Sequence, residues 1–134
     1  MEITFDGGKV ITAHIAGHEI RTDQPVKDGG DNSAPSPYML YLASIGTCAG
    51  VYVKSFCDQR GISADGISLV QSMEFDKEKG VPTLIKIEIK VPKDFPDKYR
   101  RAMVNVAELC AVKKSIINAP QFEIVTADNG RDVK

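Results

Sequence analysis

Three thiols and one long uncharged stretch carry the chemical interest of this chain. From Asn32 to Val53 the sequence runs twenty-two residues without a charge, and Cys48 sits near the end of that run, between Gly46 and Gly50. A thiol there is either an inert core residue or a nucleophile in a pocket. The glycines beside it leave room for a close-packed helix or for a substrate, so both readings stand. Cys57 and Cys110 are the other thiols. If Cys48 and Cys57 share a helix, nine residues of separation turn them about 180° apart with roughly 13 Å of rise. That exceeds the ~7 Å between Cα atoms that a disulfide spans. Cys57 lies with Val53 and Phe56 and reads as core, which leaves Cys110 as the one thiol Cys48 could meet. Cys110 itself has two readings. In a continuous helix it is the next core residue after Val106; if the helix breaks at Glu108-Leu109 it heads a new helix whose dipole favours a thiolate. A lowered thiol pKa would need a cation nearby, and Arg21, Lys113 and Lys114 are the candidates.

Other constellations are weaker. His14-x-x-x-His18 straddles a turn signal and lacks a third ligand, so zinc is not expected. Asp28-Gly-Gly-Asp31 lacks the later glutamate of a calcium loop. Gly29-Gly30 does not join a strand to a helix, which argues against a nucleotide site. Tyr38, Tyr41 and Tyr52 fall near one helix face and read as packing residues. No metal and no bound cofactor is implied.

The elements that would position the thiols can be read from periodicity. Lys9–Ile15 is a β-rich run, Ala16-Gly17 a turn and His18–Thr22 a returning strand. Residues 23–37 are dense in Gly, Pro, Asn and Asp and form a long loop. Ser36 as N-cap and Pro37 as first helical residue open a helix to Arg60, stopped by Gly61. Its middle is apolar or small on every face, which asks for burial all round and suggests a partner subunit. Ile67, Leu69, Met73 and Phe75 alternate in one strand, and Ile85 to Val91 alternate in the next, joined by the charged hairpin 74–80. Asp94-Phe-Pro96 opens a second helix with Tyr99, Met103, Val106 and Cys110 on one face. After a break at Asn118-Ala-Pro120 the chain ends in a strand, Phe122–Ala127, and a loose tail from Asp128. The order ββ-α-ββ-α-β is that of an α+β fold with antiparallel sheets.

Size and composition set the outer bounds. With 134 residues, the chain is one domain, 1–134. It is 43% hydrophobic and 26% charged, a globular balance. A net charge of −1 supplies no reason to bind nucleic acid or an anionic membrane. The uncharged run is not expected to span a membrane, since its apolar part is short and holds Ser44, Gly46, Thr47 and Gly50. No signal peptide is apparent. An odd number of cysteines without a C-x-x-C fits a reducing cytoplasm better than a disulfide framework.

Asp31-Asn-Ser-Ala-Pro-Ser-Pro-Tyr-Met-Leu-Tyr-Leu-Ala-Ser-Ile-Gly-Thr-Cys48 resembles the loop-plus-helix signature of the OsmC/Ohr family, the osmotically inducible and organic hydroperoxide resistance proteins. Cys110-Ala-Val-Lys-Lys-Ser-Ile116 resembles that family's second cysteine box, and Thr22-Asp-Gln-Pro25 with Gly29-Gly30 resembles the entry loop of its OsmC-like branch. The resemblance runs in order through residues ~8–127. It implies an OsmC-like fold with a long buried central helix and a second helix, in an intertwined homodimer with the site at the subunit interface. It also implies a thiol peroxidase of oxidative-stress defence that reduces organic hydroperoxides, and hydrogen peroxide as a further substrate. Cys48 is then the peroxidatic residue and Cys110 the resolving one. Their disulfide is reduced by an external dithiol. One departure is visible: where the family carries a glutamate that pairs with an arginine near the thiol, this chain has Tyr38 and Met39. Arg21 is the arginine the N-terminal strands offer, and Lys9 is a second cation there. The rival reading on the same scaffold is a catalytically weak binding protein for a small apolar or acyl ligand.

Overall fold

The computed structural model describes residues 1–128 and the backbone of the strand 131–133. The chain opens with a three-stranded antiparallel sheet, β1 (Glu2–Phe5), β2 (Ile11–Ile15) and β3 (His18–Thr22), in that order across the sheet. The register sets Ile3 beside Ala13 and Ile20, and Phe5 beside Ile11, so one face is apolar and the other carries Thr4, Thr12 and Arg21. β1 was not among the strands expected from sequence, because its four residues are too few to show an alternating pattern. A 3-10 turn, Val26–Asp28, sits in the loop that follows.

α1 (Pro37–Gln59) matches the capping signals: the Ser36 hydroxyl accepts from the Met39 N–H, Pro37 is the first helical residue, and Gly61 takes a left-handed conformation at φ 63° just past the end. Only one face of α1 is buried within the chain, at Ile45, Ala49, Val53, Phe56 and Cys57. By length and composition α1 could cross a membrane, but this face packs on a core.

β4 (Ser68–Phe75) and β5 (Pro82–Lys90) form a separate antiparallel hairpin. Leu69 and Met73 point inward as the alternation requires. Phe75 does not follow them, because the register shifts between Glu74 and Phe75, and its ring is left exposed. α2 (Asp97–Ala107) lies across α1. Val53, Phe56, Cys57, Phe95 and Met103 make the buried core, with Leu69 and Ile89 of the hairpin packed against it.

The expected second helix is two helices. It ends at Ala107, turns through Glu108 and Leu109, and restarts as α3 (Ala111–Ile117). No Gly or Pro marks this break. It is held instead by the Cys110 side chain, which caps the new helix. The C-terminal strand also differs from expectation. Residues 121–125 have no regular structure, and strand pairing starts later, between β6 (Thr126–Asp128) and β7 (Arg131–Val133). The tail expected to be loose from Asp128 therefore contains a strand pair, while residues 129, 130 and 134 lie outside the described residues.

Candidate functional site

The break before α3 brings the two thiols together. Cys110 is the N-cap of α3: its Sγ accepts from the Lys113 N–H at 3.5 Å. Its own S–H points back to α1, with the Ile45 carbonyl 3.9 Å from the sulfur. A residue on α3 is thereby tied to α1 one turn from Cys48. Cys48 lies near the opening of α3, close enough to the Val112 N–H, the Cys110 thiol and the Ala111 N–H for each to perturb it. The first N–H groups of a helix have no partner inside it, so they are free to face an anion. Both thiols are free rather than bonded to each other.

The two thiols are pushed in opposite directions. The Val112 N–H, the Cys110 S–H and the Ala111 N–H hold Cys48 below the ordinary thiol range, against a smaller opposing effect of burial. Burial pushes the Cys110 thiol up, and a neighbouring Cys48 adds to this. In this tightly coupled pair the half-buried Cys48 gives up its proton more readily than the enclosed Cys110. Cys57 is fully enclosed in the core and its pKa is raised by burial, as an unreactive thiol's would be.

Among the described residues, no side-chain cation is one of the groups that lower Cys48. The Lys113 ammonium is paired with Glu108, and it is the Lys113 main chain that serves Cys110. Lys114 is exposed, and its carbonyl accepts from the Asn118 N–H. Arg21 is exposed on β3 and donates to the Ser33 hydroxyl at 3.3 Å. Within one chain, then, the structure unites Cys48 and Cys110 but leaves Arg21 on β3, bonded to the entry loop. Lys9 lies over that loop as well, with its Cε 3.7 Å from where a Gly29 side chain would start. His14 bonds the Thr4 hydroxyl and Glu19, and no cluster of metal-binding side chains exists among the described residues.

The roles of several groups around the site were not legible in the sequence. Ala111 and Val112 act through main-chain N–H groups, which no residue type announces. Asp23 is the hub of the entry loop: it is 1% exposed and its carboxylate accepts from the Gln24, Asp31 and Ser33 N–H groups and the Ser33 hydroxyl. Those donors, the Ser33 hydroxyl foremost, lower its pKa to about 2. Gly30 completes the loop, since a Cβ there would lie 2.1 Å from the Gln24 carbonyl oxygen. Beside the thiols, an open apolar groove of about 500 Å³ runs from Ala111 and Val112 past Tyr41, Ile116 and Phe122.

The model of the family described as "OsmC-like protein" matches residues 30–125, a stretch that contains both thiols and most of the entry loop. The chain belongs to the OsmC-like protein family. Solved structures agree with this fold. A Psychrobacter arcticus protein, provisionally described as an osmotic stress induced and detoxification response protein, has 24% identity over 85% of each chain, with a TM-score of 0.71. A hypothetical protein from Aquifex aeolicus VF5 has 18% identity over 90% of this chain and 87% of that one, with a TM-score of 0.62. An organic hydroperoxide resistance protein OsmC from Legionella pneumophila has 18% identity over 86% of this chain and 85% of that one, with a TM-score of 0.52. No curated protein matches the sequence. This OsmC-like chain carries Tyr38 and Met39, both exposed, at the start of its central helix, with the Tyr38 ring stacked on Tyr41 at 5.6 Å.

Proposed function

We propose that this chain is a thiol peroxidase that reduces organic hydroperoxides through Cys48 and Cys110. The observation that carries the reading is the convergence of two thiols with opposed proton affinities at the start of α3, whose Ala111 and Val112 also line an apolar groove. The Cys48 thiolate attacks the terminal peroxide oxygen, the O–O bond breaks, and the alcohol leaves with a proton from solvent. Cys48 becomes a sulfenic acid. The Cys110 sulfur then attacks the Cys48 sulfur, forming a disulfide and releasing water. An external dithiol reduces that disulfide, restoring two thiols and becoming oxidised itself. The groove's apolar lining favours an organic hydroperoxide over hydrogen peroxide, which is small enough to enter but has nothing to bury there. A reductant-rich cytoplasm and a role in oxidative-stress defence fit this chemistry.

The working unit is proposed to be a homodimer. The apolar face of the N-terminal sheet is uncovered, with Phe5 85% exposed, and the sheet makes few contacts with the rest of its own chain. Val51 on the outer face of α1 is likewise open. Such area on a soluble chain marks an interface. A partner could also bring its Arg21 toward Cys48, which the chain's own Arg21 does not reach. Sedimentation equilibrium at micromolar concentration should give the dimer mass; a monomer there would contradict this part of the reading.

Thiol titration before and after stoichiometric cumene hydroperoxide tests the chemistry. The loss of two thiols per chain, absent in Cys48→Ser, is expected. No loss in the parent chain would overturn the proposal and leave the scaffold as a binding protein, the reading that the absent carboxylate at Tyr38 and Met39 favours.

A further inference from the structure

A second apolar cavity, of about 310 Å³, lies against a different face of α3 from the groove beside Ala111 and Val112. Ile45 and Ala49 of α1, Ile87 of β5, Val104 of α2 and Ile116 of α3 line it. Its volume falls at the lower end of the range for small-molecule sites. The inward isoleucines of β5 around it stay only half-buried, so the chain itself does not fill this space. So apolar a lining offers ordered water few partners. Ile116 is a wall common to this cavity and the groove, but neither Cys48 nor Cys110 lines it.

Among the described residues, the charged groups lining the cavity are Lys113 and Glu108, bonded to each other. Both remain solvent-accessible, so the pair is weakly held and open to exchange. One ammonium beside an apolar chamber complements a single negative charge on an aliphatic chain. A dianionic head group would need a second cation, which the lining lacks. A neutral chain would make no use of the ammonium.

We infer that this cavity binds an unbranched aliphatic carboxylate of medium length, its chain against Ile45, Ile87 and Ile116 and its head group on the Lys113 ammonium in place of Glu108. The site lies apart from the reacting sulfurs, since neither thiol lines it.

Calorimetric titration of the full chain with decanoate tests it, with decanol as the neutral chain of equal length. Saturable binding of one decanoate per chain is expected, unchanged in Cys48→Ser. Binding should weaken at least tenfold in Lys113→Met, which keeps the aliphatic stem but not the charge, and tighten several-fold in Glu108→Gln. Val104→Phe places a ring in the cavity from a position that is half exposed, so the fold should persist by circular dichroism while binding falls at least tenfold. No saturable binding below millimolar decanoate would overturn the inference. So would unaltered binding in Val104→Phe, or decanol binding as tightly as decanoate. Loss of binding in Cys48→Ser would move the ligand to the thiol groove and equally refute it.

Discussion

Cys110 has two separable duties in this structure, and one pair of substitutions divides them. Its sulfur caps α3 through the Lys113 N–H and ties α3 to the Ile45 carbonyl of α1. It is also the thiol within reach of Cys48. Cys110→Ala removes both. Loss of an N-cap costs about 1 kcal/mol, and emptying one buried atom's volume adds up to about 1 more. A total of about 1–2 kcal/mol in a chain of this size lowers Tm by roughly 4–8 °C. Cys110→Ser restores a good capping oxygen and a donor for the Ile45 carbonyl, so its Tm should recover most of that loss. It cannot form a disulfide. Without reductant, one equivalent of hydroperoxide should then consume two of the three thiols in the parent chain but only one in either variant. The sulfenic acid in both variants should be trapped by dimedone on Cys48. Cys57 cannot substitute, because nine helical residues place it on the opposite side of α1 about 13 Å along the axis. Differential scanning calorimetry, thiol titration and mass spectrometry of the adduct measure these outcomes. If Cys110→Ala still loses two thiols, or if neither variant yields a dimedone adduct, the assignment of Cys110 as the resolving thiol is wrong. If Cys110→Ser melts as low as Cys110→Ala, the capping argument is wrong.

Three further outcomes follow from the same geometry. Because main-chain N–H groups hold Cys48 below the ordinary thiol range, its alkylation by iodoacetamide should reach half-maximal rate at lower pH than free cysteine, while Cys110 and Cys57 stay unmodified in the folded chain; peptide mapping across a pH series reads this. Asp23 has a folded pKa of about 2, below its ordinary 3.8, so its stabilising effect is complete above pH 4 and fades as pH falls toward 2. Urea midpoints of Asp23→Asn should therefore lie below those of the parent at pH 7, with the gap closing toward pH 2. Met103→Ala, at a side chain 1% exposed in the core between α1 and α2, should lose about 2–5 kcal/mol by urea unfolding, with the m-value unchanged.

The central helix and the β4–β5 hairpin were legible because their signals are local. Ser36-Pro37 and Gly61 punctuate the one, and alternating isoleucines write out the other. The α2–α3 break was not, because it depends on Cys110 meeting α1, a contact between residues 65 apart in sequence. β1 was too short to carry a period. The strand expected at Phe122–Ala127 shows the limit of alternation as a signal. Phe122 and Ile124 alternate with polar neighbours as a half-buried strand should, yet they lie 86% and 93% exposed, with no partner strand for them among the described residues. Side-chain pattern states what a segment could bury, and pairing decides whether it does. Both thiols were identifiable from sequence, whereas what perturbs them was not. The search for a cation among Arg21, Lys113 and Lys114 followed from charge alone, and the groups around Cys48 are dipoles instead.

The missing carboxylate at Tyr38 and Met39 need not leave Arg21 without orientation. Arg21 donates to the Ser33 hydroxyl, and that hydroxyl donates in turn to the Asp23 carboxylate at 2.7 Å. Ser33 is itself fixed by its N–H on the same oxygen at 2.9 Å. A buried carboxylate thus reaches the guanidinium through one hydroxyl, from the loop side instead of the helix side. The link is longer and more exposed at its outer bond than a bidentate ion pair, so it orients Arg21 with less force. Its consequence is that the guanidinium's position depends on the loop, whose geometry Asp23 and Gly30 determine, and not on the first turn of α1. Residues 38 and 39 are thereby free to be aromatic and apolar. Tyr38 uses that freedom to stack on Tyr41, which lines the groove. In this chain the start of the central helix contributes Tyr41 to the wall of the groove, and the carboxylate that reaches Arg21 sits in the loop.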